Sequence, residues 1–176
     1  MVELRRLLIA NRGEIAVRVV RACRETGVSP VVAVAPGDGG GLAAGLADEV
    51  AEVASYLDGA DLVRAAGDTG ADAVHPGYGF LSEDPAFAQL VLDAGLRWVG
   101  PPPAAMRTLA DKVAARGVAA DAGVPVVPGS AVDGDLSDDA LARDAERLGV
   151  PLLVKAAAGG GGRGMRAVDD LTDLPL

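Results

Sequence analysis

Several residue types that build common functional sites are scarce in this sequence of 176 residues. There is one cysteine, Cys23, and one histidine, His75. One residue of each type excludes an internal disulfide, a cysteine-based metal cluster and a multi-histidine metal site. Aromatic residues make up only 3% of the sequence, although 50% of it is hydrophobic. A core can therefore form, and we expect Ala, Val and Leu to build it.

Long apolar runs and clusters of positive charge are also missing. No apolar run approaches the ~20 residues that span a bilayer, and the run at residues 7–10 is too short for a signal peptide. The formal net charge is −9 and the basic residues are scattered, which argues against a nucleic-acid-binding module. We therefore expect a cytoplasmic protein with neither a nucleic-acid nor a membrane partner.

The first hundred residues alternate short apolar runs with helical patterns. Strands are predicted at residues 7–10, 31–35, 49–53, 71–75 and 97–99, and helices at 13–27, 58–66 and 84–94. This rhythm with short links predicts an α/β fold with a parallel sheet covered by helices.

Three consecutive prolines at 101–103 mark the predicted end of this first domain. Beyond them the sequence predicts one or two helices over 104–122, a helix over 138–148, and strands at 151–157 and 165–168. Only 64 residues follow Lys112, so we expect the second unit to be incomplete.

A glycine-rich segment, residues 159–164, lies between the last two predicted strands and contains Arg163. Glycines let backbone N–H groups approach an anion closely, and an arginine adds a charge that binds phosphate in a bidentate manner. No Gly-Lys-Ser/Thr follows, so this is not a Walker A loop. We interpret it as a flap over a polyphosphate, and the alternative is a linker without a ligand.

Lysine is rare, because Lys112 and Lys155 are the only two among 16 basic residues. Lys155 lies in an apolar strand, where an ammonium group must find an anion or reach solvent. Lys112 follows Asp111 on a predicted helix, where an exposed lysine is ordinary. The point charge of lysine and the planar guanidinium of arginine are not interchangeable. In a sequence that otherwise uses arginine, each lysine marks a position where the point charge is needed, so both lysines are candidate phosphate ligands.

The segment AVHPGYGFLSE, residues 73–83, follows a predicted strand at its carboxyl end. Ligands of open α/β sheets bind outside such ends, which makes His75, Tyr78 and Glu83 candidate site residues. A tight Pro-Gly turn with a packed tyrosine is the alternative. The strand-to-helix turn at residues 11–14 could hold an anion, although we favour a purely structural turn.

Five ordered motifs together resemble biotin carboxylases, the ATP-grasp subunits or domains of acetyl-, propionyl-, other acyl-CoA and pyruvate carboxylases. They are IANRGEIAVRVVRACRE, AVHPGYGFLSE, ADKVAAR, AGVPVVPGS and VKAAAGGGGRGMR. The resemblance implies a Rossmann-like pre-ATP-grasp domain at residues 1–111 and the truncated start of an ATP-grasp domain at 112–176.

The resemblance also implies roles for individual residues. Lys112 and Lys155 would contact ATP, together with a mobile flap that contains Gly161, Gly162, Arg163 and Gly164. Tyr78 and Gly79 would lie near the site where bicarbonate and biotin meet. Arg21 and Glu25 match positions at a homodimer interface.

The implied reaction uses ATP and Mg²⁺ to carboxylate biotin on a carrier protein, whose carboxyl group then passes to a carboxyltransferase partner. The magnesium ligands, the bicarbonate-binding arginine and the general base of the family have no counterpart in this chain. We therefore expect no catalytic residue and no metal ligand here, and no turnover by these residues alone. The alternatives are another ATP-grasp ligase, similar to carbamoyl-phosphate synthase, and a non-catalytic dimerising remnant.

Overall fold

The computed structural model describes residues 3–129, 137–155 and 165–174, apart from the side chains of residues 112 and 113. The chain forms two compact units, Met1–Thr108 and Leu109–Leu176. No helix within the described ranges is long and apolar enough to cross a membrane.

The first unit is built on a five-stranded sheet in which every pair of neighbouring strands is parallel. In chain order the strands are β1 (Arg6–Ile9), β2 (Ser29–Val34), β3 (Glu49–Glu52), β4 (Ala73–His75) and β5 (Arg97–Trp98). Their order across the sheet is β3-β2-β1-β4-β5. The predicted parallel α/β sheet is confirmed.

Helices cover both faces of this sheet because alternate side chains of each strand point to opposite sides. The helices are α1 (Gly13–Thr26), α2 (Leu42–Leu46), α3 (Gly59–Asp68) and α4 (Pro85–Asp93). Leu7 and Ile9 pack with buried residues of α1 and α2, whereas Leu8 packs with buried residues of α3 and α4. The result is a doubly wound domain with a core on each face.

Local sequence explains where these helices begin and end. Gly27 adopts φ 75 after α1 and its N–H donates to Arg24 O, which is the left-handed C-terminal geometry that glycine favours. Asp58 caps α3 by accepting from Asp61 N, and Asp84 caps α4 by accepting from Ala86 N and Phe87 N.

One side chain joins β1 and β4 at the amino edge of the sheet. The carboxylate of Asp72 accepts hydrogen bonds from the backbone N–H groups of Arg5 and Arg6, at 2.8 and 2.9 Å. These bonds lower the pKa of Asp72. Asp72 therefore aligns the starts of the two central strands.

The predictions from sequence missed one helix and placed the ends of several strands and helices a few residues away from their observed positions. Residues 42–46 form α2, for which no helix was predicted, because a five-residue stretch of Leu, Ala and Gly has no visible helical period. β2 begins at Ser29 and includes Pro30, two residues earlier than predicted. A proline can stand near the start of a strand, where its missing N–H is tolerated.

A further helix, α5 (Pro103–Ala110), lies mostly in the first unit and ends two residues into the second. The described residues of the second unit form α6 (Lys112–Asp121), α7 (Asp138–Leu148), the antiparallel pair β6 (Leu152–Lys155) and β7 (Met165–Val168), and a short 3-10 helix at Leu171–Asp173. The predicted helical stretch 104–122 is thus two helices. Asp111 lies between them, and its carboxylate accepts from Ala114 N at 2.8 Å at the start of α6.

Candidate functional site

The strand order of the first sheet reverses between β1 and β4: the chain first adds strands on one side of β1 and then on the other. β1 leads to β2 on one side, whereas β4 and β5 lie on its other side. In doubly wound sheets the crevice at such a reversal is the usual ligand site. Here the segments that follow β1 and β4, residues 10–14 and 76–80, meet at this position.

Asn11 fills this crevice and is completely buried. Its Nδ2 donates hydrogen bonds to Pro76 O at 2.6 Å and to Tyr78 O at 2.9 Å, and its Oδ1 accepts from Arg12 N at 2.8 Å. Removing the amide would leave two carbonyl oxygens without donors, at about 1–3 kcal/mol for each buried group. Asn11 therefore ties the turn after β1 to the segment after β4.

Gly77 is the point of closest approach between the two segments. Its φ is +66, and a Cβ there would lie 2.6 Å from Ile15 Cγ2 and 2.7 Å from Asn11 Nδ2. Only glycine combines this backbone conformation with this contact. The Pro-Gly pair in the sequence predicted the turn but not its contact with Asn11.

His75 ends β4 and is half-buried. Its Nδ1 accepts a hydrogen bond from Gly77 N at 2.9 Å, so the neutral ring carries its proton on Nε2. Burial lowers the pKa of His75 below the ordinary histidine value. His75 therefore acts here as a neutral acceptor that braces the turn.

Tyr78 is 62% exposed, yet its hydroxyl group is held. The hydroxyl donates a hydrogen bond to the carboxylate of Glu14 in the first turn of α1. This bond, followed by desolvation and the nearby negative charge, raises the pKa of Tyr78. The ring is thus anchored at its tip, and its backbone carbonyl is anchored by Asn11.

An open cavity of about 490 Å³ lies beside these residues, and Tyr78, Gly77, His75, Glu14 and Arg18 contribute to its lining. Much of the remaining lining is apolar and comes from α1 and the start of β1. The cavity thus combines an apolar wall with one carboxylate and one guanidinium group, as small-molecule sites commonly do.

A third loop joins the site from the side of β2. Arg12 Nη1 lies 3.3 Å from Asp38 Oδ2, and the hydroxyl of Tyr56 accepts from Ala35 N at 3.3 Å. The ring of Tyr56 stacks on Phe80. The loops after β1, β2, β3 and β4 are therefore connected along one edge of the sheet.

The structure brings together only part of the predicted site. Tyr78 and Gly79 lie at this edge, with His75 beside them, and Glu83 is exposed a few residues further on. Arg21 and Glu25 are exposed one turn apart on α1, a spacing that places both on one helix face. Asn11 is the residue that sequence reasoning missed as functional, since its turn was interpreted as purely structural.

The predicted ATP ligands lie in the second unit. Lys155 is exposed at the end of β6 and pairs with Met165, the first residue of β7. Lys112 begins α6, but its side chain lies outside the described part. The predicted flap residues Gly161, Gly162, Arg163 and Gly164 also lie outside it.

A Mg²⁺ site in the part of this chain that the structure describes would need several side chains that could hold the ion together. Within residues 3–129, 137–155 and 165–174, no group of three or more His, Cys, Asp or Glu residues could hold a metal ion. Hard divalent cations bind oxygen ligands, mainly carboxylates and carbonyls. No such set of oxygen ligands for Mg²⁺ is present among the described residues.

The five-stranded parallel sheet with helices on both faces defines the first unit as a doubly wound α/β domain. Residues 3–106 match the family described as biotin carboxylase, N-terminal domain. Residues 111–175 match the ATP-binding domain of the carbamoyl-phosphate synthase L chain. Because the first match covers more than half of the sequence, the chain belongs to the biotin carboxylase N-terminal domain family.

Curated relatives resemble nearly the whole chain. Mitochondrial pyruvate carboxylase of Mus musculus is 46% identical over 97% of this chain and 15% of its own length. The biotin-dependent acyl-coenzyme A carboxylase alpha3 subunit of Mycobacterium leprae is 46% identical over 96% of this chain and 29% of its own. Biotin carboxylase of Pseudomonas aeruginosa is 44% identical over 97% and 39%. The chain thus spans less than two-fifths of each of these relatives and corresponds to the N-terminal part of biotin carboxylase.

Solved structures agree with this assignment. A biotin carboxylase from Campylobacter jejuni, in complex with β,γ-ATP, is 41% identical and has a TM-score of 0.88 over 98% of this chain and 40% of its own. The biotin carboxylase domain dimer of Hydrogenobacter thermophilus 2-oxoglutarate carboxylase, in complex with MgADP, ADP and bicarbonate, is 40% identical, with a TM-score of 0.85 over 96% and 38%.

Proposed function

We propose that this chain forms the N-terminal part of an ATP-dependent biotin carboxylase, a ligase that makes a C–N bond. The whole enzyme would activate bicarbonate with ATP, forming carboxyphosphate and ADP, and then carboxylate a ureido nitrogen of biotin on a carrier protein. The observation that carries the proposal is the order of the two family matches, residues 3–106 and then 111–175. Relatives that are biotin-dependent carboxylases extend over both.

The two matches also support a division of the chain into two domains. Residues 1–111 would form the pre-ATP-grasp domain, and residues 112–176 the start of the ATP-grasp domain. The proposed boundary lies three residues from the end of the first compact unit, Met1–Thr108. The residues proposed to bind ATP would then all lie in the second unit.

Six residues are proposed to contact ATP: Lys112, Lys155, Gly161, Gly162, Arg163 and Gly164. Lys155 and Met165 are paired at the end of β6 and β7 that the glycine-rich connection joins, so this connection starts beside the lysine. Phosphoryl transfer depends on positioning and on charge neutralisation around the phosphates. An exposed ammonium group beside a glycine-rich connection suits both requirements.

Tyr78 and Gly79 are proposed to border the place where bicarbonate and biotin meet. The support is the exposed, anchored ring of Tyr78, which helps to line the cavity. Gly79 adopts φ +70 with open space around its Cα, so the backbone can approach a ligand there. Neither residue would transfer a proton; both would shape and hold the binding surface.

The proposed partners are a biotin carboxyl carrier protein or domain, a carboxyltransferase, and a second copy of the chain through Arg21 and Glu25. The domain dimer of the Hydrogenobacter thermophilus relative supports the last of these. Mg²⁺ would be bound by residues outside this chain, so the 176 residues alone should not turn over. The proposed location of the reaction is the cytoplasm.

A chimera tests the proposed ATP site. Residues 1–174 of this chain would replace the matching part of the Pseudomonas aeruginosa biotin carboxylase, and ATP affinity and biotin-dependent ADP release would be measured. Lys155→Ala should weaken ATP binding by about tenfold or more, because a charge-assisted contact contributes about 1.5–3 kcal/mol. Arg147→Ala, which changes an exposed cation on α7, is the matched control. Unchanged ATP affinity in Lys155→Ala would overturn the assignment.

The second family match favours one rival, a ligase similar to carbamoyl-phosphate synthase. A second chimera, in which residues 1–174 replace the matching part of a carbamoyl-phosphate synthase L chain, separates the two hypotheses. Biotin-dependent ADP release restored only in the biotin carboxylase background supports the carboxylase, whereas ammonia-dependent release restored only in the synthase background supports the rival.

Sedimentation of the 176-residue chain tests the proposed dimer and the dimerising-remnant alternative. Arg21→Glu should lower the sedimenting mass if α1 forms the interface. Arg107→Glu, on the exposed surface of α5, should leave the mass unchanged. A mass that does not respond to Arg21→Glu removes the support for an α1 interface.

A further inference from the structure

The exposed ring of Tyr78 is fixed by a single short segment of the chain. Residues 11–14, between β1 and α1, contact Tyr78 twice. The side chain of Asn11 donates to its carbonyl oxygen at 2.9 Å, and the side chain of Glu14 accepts from its hydroxyl group. A tyrosine that is 62% exposed would otherwise sample several rotamers.

The contact with Asn11 is made from a buried position that gives the amide no freedom. Asn11 has no exposed surface, and all its side-chain polar atoms serve the two segments through Pro76, Tyr78 and Arg12. Gly77 packs directly on the same amide. The path of residues 76–78 is therefore set by the shape and the donors of Asn11.

The contact with Glu14 fixes a different part of the same residue. Glu14 lies in the first turn of α1, where a negative charge is favoured by the helix dipole. The helix N-terminus therefore keeps this acceptor in place beneath the Tyr78 hydroxyl. One contact sets the backbone and the other sets the direction of the ring.

We propose that Asn11 and Glu14 are positioning residues, which hold Tyr78 in its working orientation before any substrate is bound. This inference rests on the proposed function for the use of that orientation, although the orientation itself is a property of the chain. Holding a binding group in place in advance removes the entropy that a mobile side chain would lose on binding.

The test uses the 176-residue chain and follows the phenol group of Tyr78 directly. The chain has two tyrosines, Tyr56 and Tyr78, so Tyr56→Phe leaves one tyrosine signal. Two readouts are taken: the ¹³Cζ chemical shift of labelled tyrosine at neutral pH, and the phenol pKa from ultraviolet absorbance. Circular dichroism in the same buffers confirms that each variant is folded.

Glu14→Gln should shift the ¹³Cζ signal and move the pKa of Tyr78 back toward the ordinary tyrosine value. Asn11→Ala should do the same, although the hydrogen bonds of the Asn11 side chain go to backbone groups and not to the Tyr78 hydroxyl or the Glu14 carboxylate. A change in the phenol signal on substitution of Asn11, which bonds only the backbone of Tyr78, would show that Asn11 acts by positioning the residue.

Asp72→Ala is the matched control, because it also removes a side chain that bonds two backbone groups across β1 and β4, but at the opposite edge of the sheet. It should leave both readouts unchanged. If Asn11→Ala does not fold, Gly77→Ala disturbs the same contact from the other side and should give the same shifts. Readouts that stay at the parent values in Asn11→Ala or Gly77→Ala overturn the role of Asn11, and unchanged readouts in Glu14→Gln overturn that of Glu14. Neither result depends on carboxylase activity, so a failure of the proposed function is separately visible.

Discussion

The ring of Tyr56 stacks on the ring of Phe80, with centroids 5.0 Å apart and planes inclined by 29°. Phe80 has φ 46, in the left-handed region that non-glycine residues seldom adopt. Such a conformation costs on the order of 1–3 kcal/mol, and the stacking contributes about 0.5–1.5 kcal/mol against it. The contact also joins the loop after β3 to the segment that carries Tyr78.

Substitutions at Tyr56 should separate this stacking from the hydrogen bond. Tyr56→Phe keeps the ring and removes the acceptor of Ala35 N, so the free energy of unfolding should fall by about 1 kcal/mol. Tyr56→Leu should cost about 0.5–1.5 kcal/mol more, because the aromatic pair is also lost. Urea unfolding followed by the fluorescence of Trp98, the single tryptophan, measures both. Equal losses in the two variants would mean that the stacking contributes nothing.

Core packing in the first unit predicts a large difference between two apolar truncations. Leu8 is fully buried in the centre of the sheet, whereas Val50 is 41% exposed on the edge strand β3. Leu8→Ala should lower the free energy of unfolding by about 2–5 kcal/mol, and Val50→Ala by about 0.5 kcal/mol or less. The same Trp98 assay compares them. Similar losses at the two sites would contradict the described core.

The lowered pKa of Asp72 makes part of the stability depend on acid pH. A group whose pKa is lower in the folded state stabilises the protein above its unfolded pKa, about 3.9 for aspartate. That contribution is lost as the pH falls through the folded-state pKa. Asp72→Asn should therefore be less stable than the parent at pH 7, and its deficit should shrink below about pH 4. Urea midpoints measured between pH 7 and pH 3 test this. A deficit that stays constant over that interval would remove the electrostatic explanation.

The lone histidine offers a direct view of the turn after β4. Burial lowers the pKa of His75, so the imidazole should remain neutral below the ordinary histidine value of about 6.5. The unfolded chain binds the proton first, and stability should therefore decline as the pH falls below about 6.5.

Nuclear magnetic resonance can follow His75 without assignment to a particular residue, because the chain has one histidine and therefore one set of imidazole signals. The midpoint of the His75 pH titration should be lower in the folded chain than in the chain unfolded in urea. The ¹⁵N chemical shifts of the neutral ring should show the proton on Nε2, since Nδ1 accepts from Gly77 N. A proton on Nδ1, or equal midpoints in the two states, would contradict the bracing role of His75.

The sheet could be predicted from sequence because its information is local. Apolar runs such as Leu7–Leu8–Ile9 and the glycine at position 27 define strands and helix ends within a few residues. α2 lacked such a pattern and was missed. Asn11 was underestimated for another reason: its partners Pro76 and Tyr78 lie 65 and 67 residues away, and no local period reveals a contact at that distance.

The candidate site was therefore only half visible in the sequence. The motif around Tyr78 was found because a strand end followed by Pro-Gly is conspicuous. The left-handed backbone of Phe80 was not predicted, since non-glycine residues seldom adopt it and the stacked ring of Tyr56 comes from another loop. The assignment of Lys112, Lys155 and the glycine-rich segment to ATP remains a prediction.

The packing of Gly77 on Asn11 has a consequence for recombination between relatives. A Cβ at position 77 would lie 2.7 Å from the amide nitrogen of Asn11, so the residues at 11 and 77 constrain each other although most of the first domain separates them along the chain. A crossover placed between β1 and β4 draws the two positions from different parents, and it will yield a folded domain only when both parents carry a compatible pair. A crossover after residue 174 keeps both residues from the same parent. In libraries of shuffled relatives, folded variants should therefore have few crossovers between residues 11 and 77.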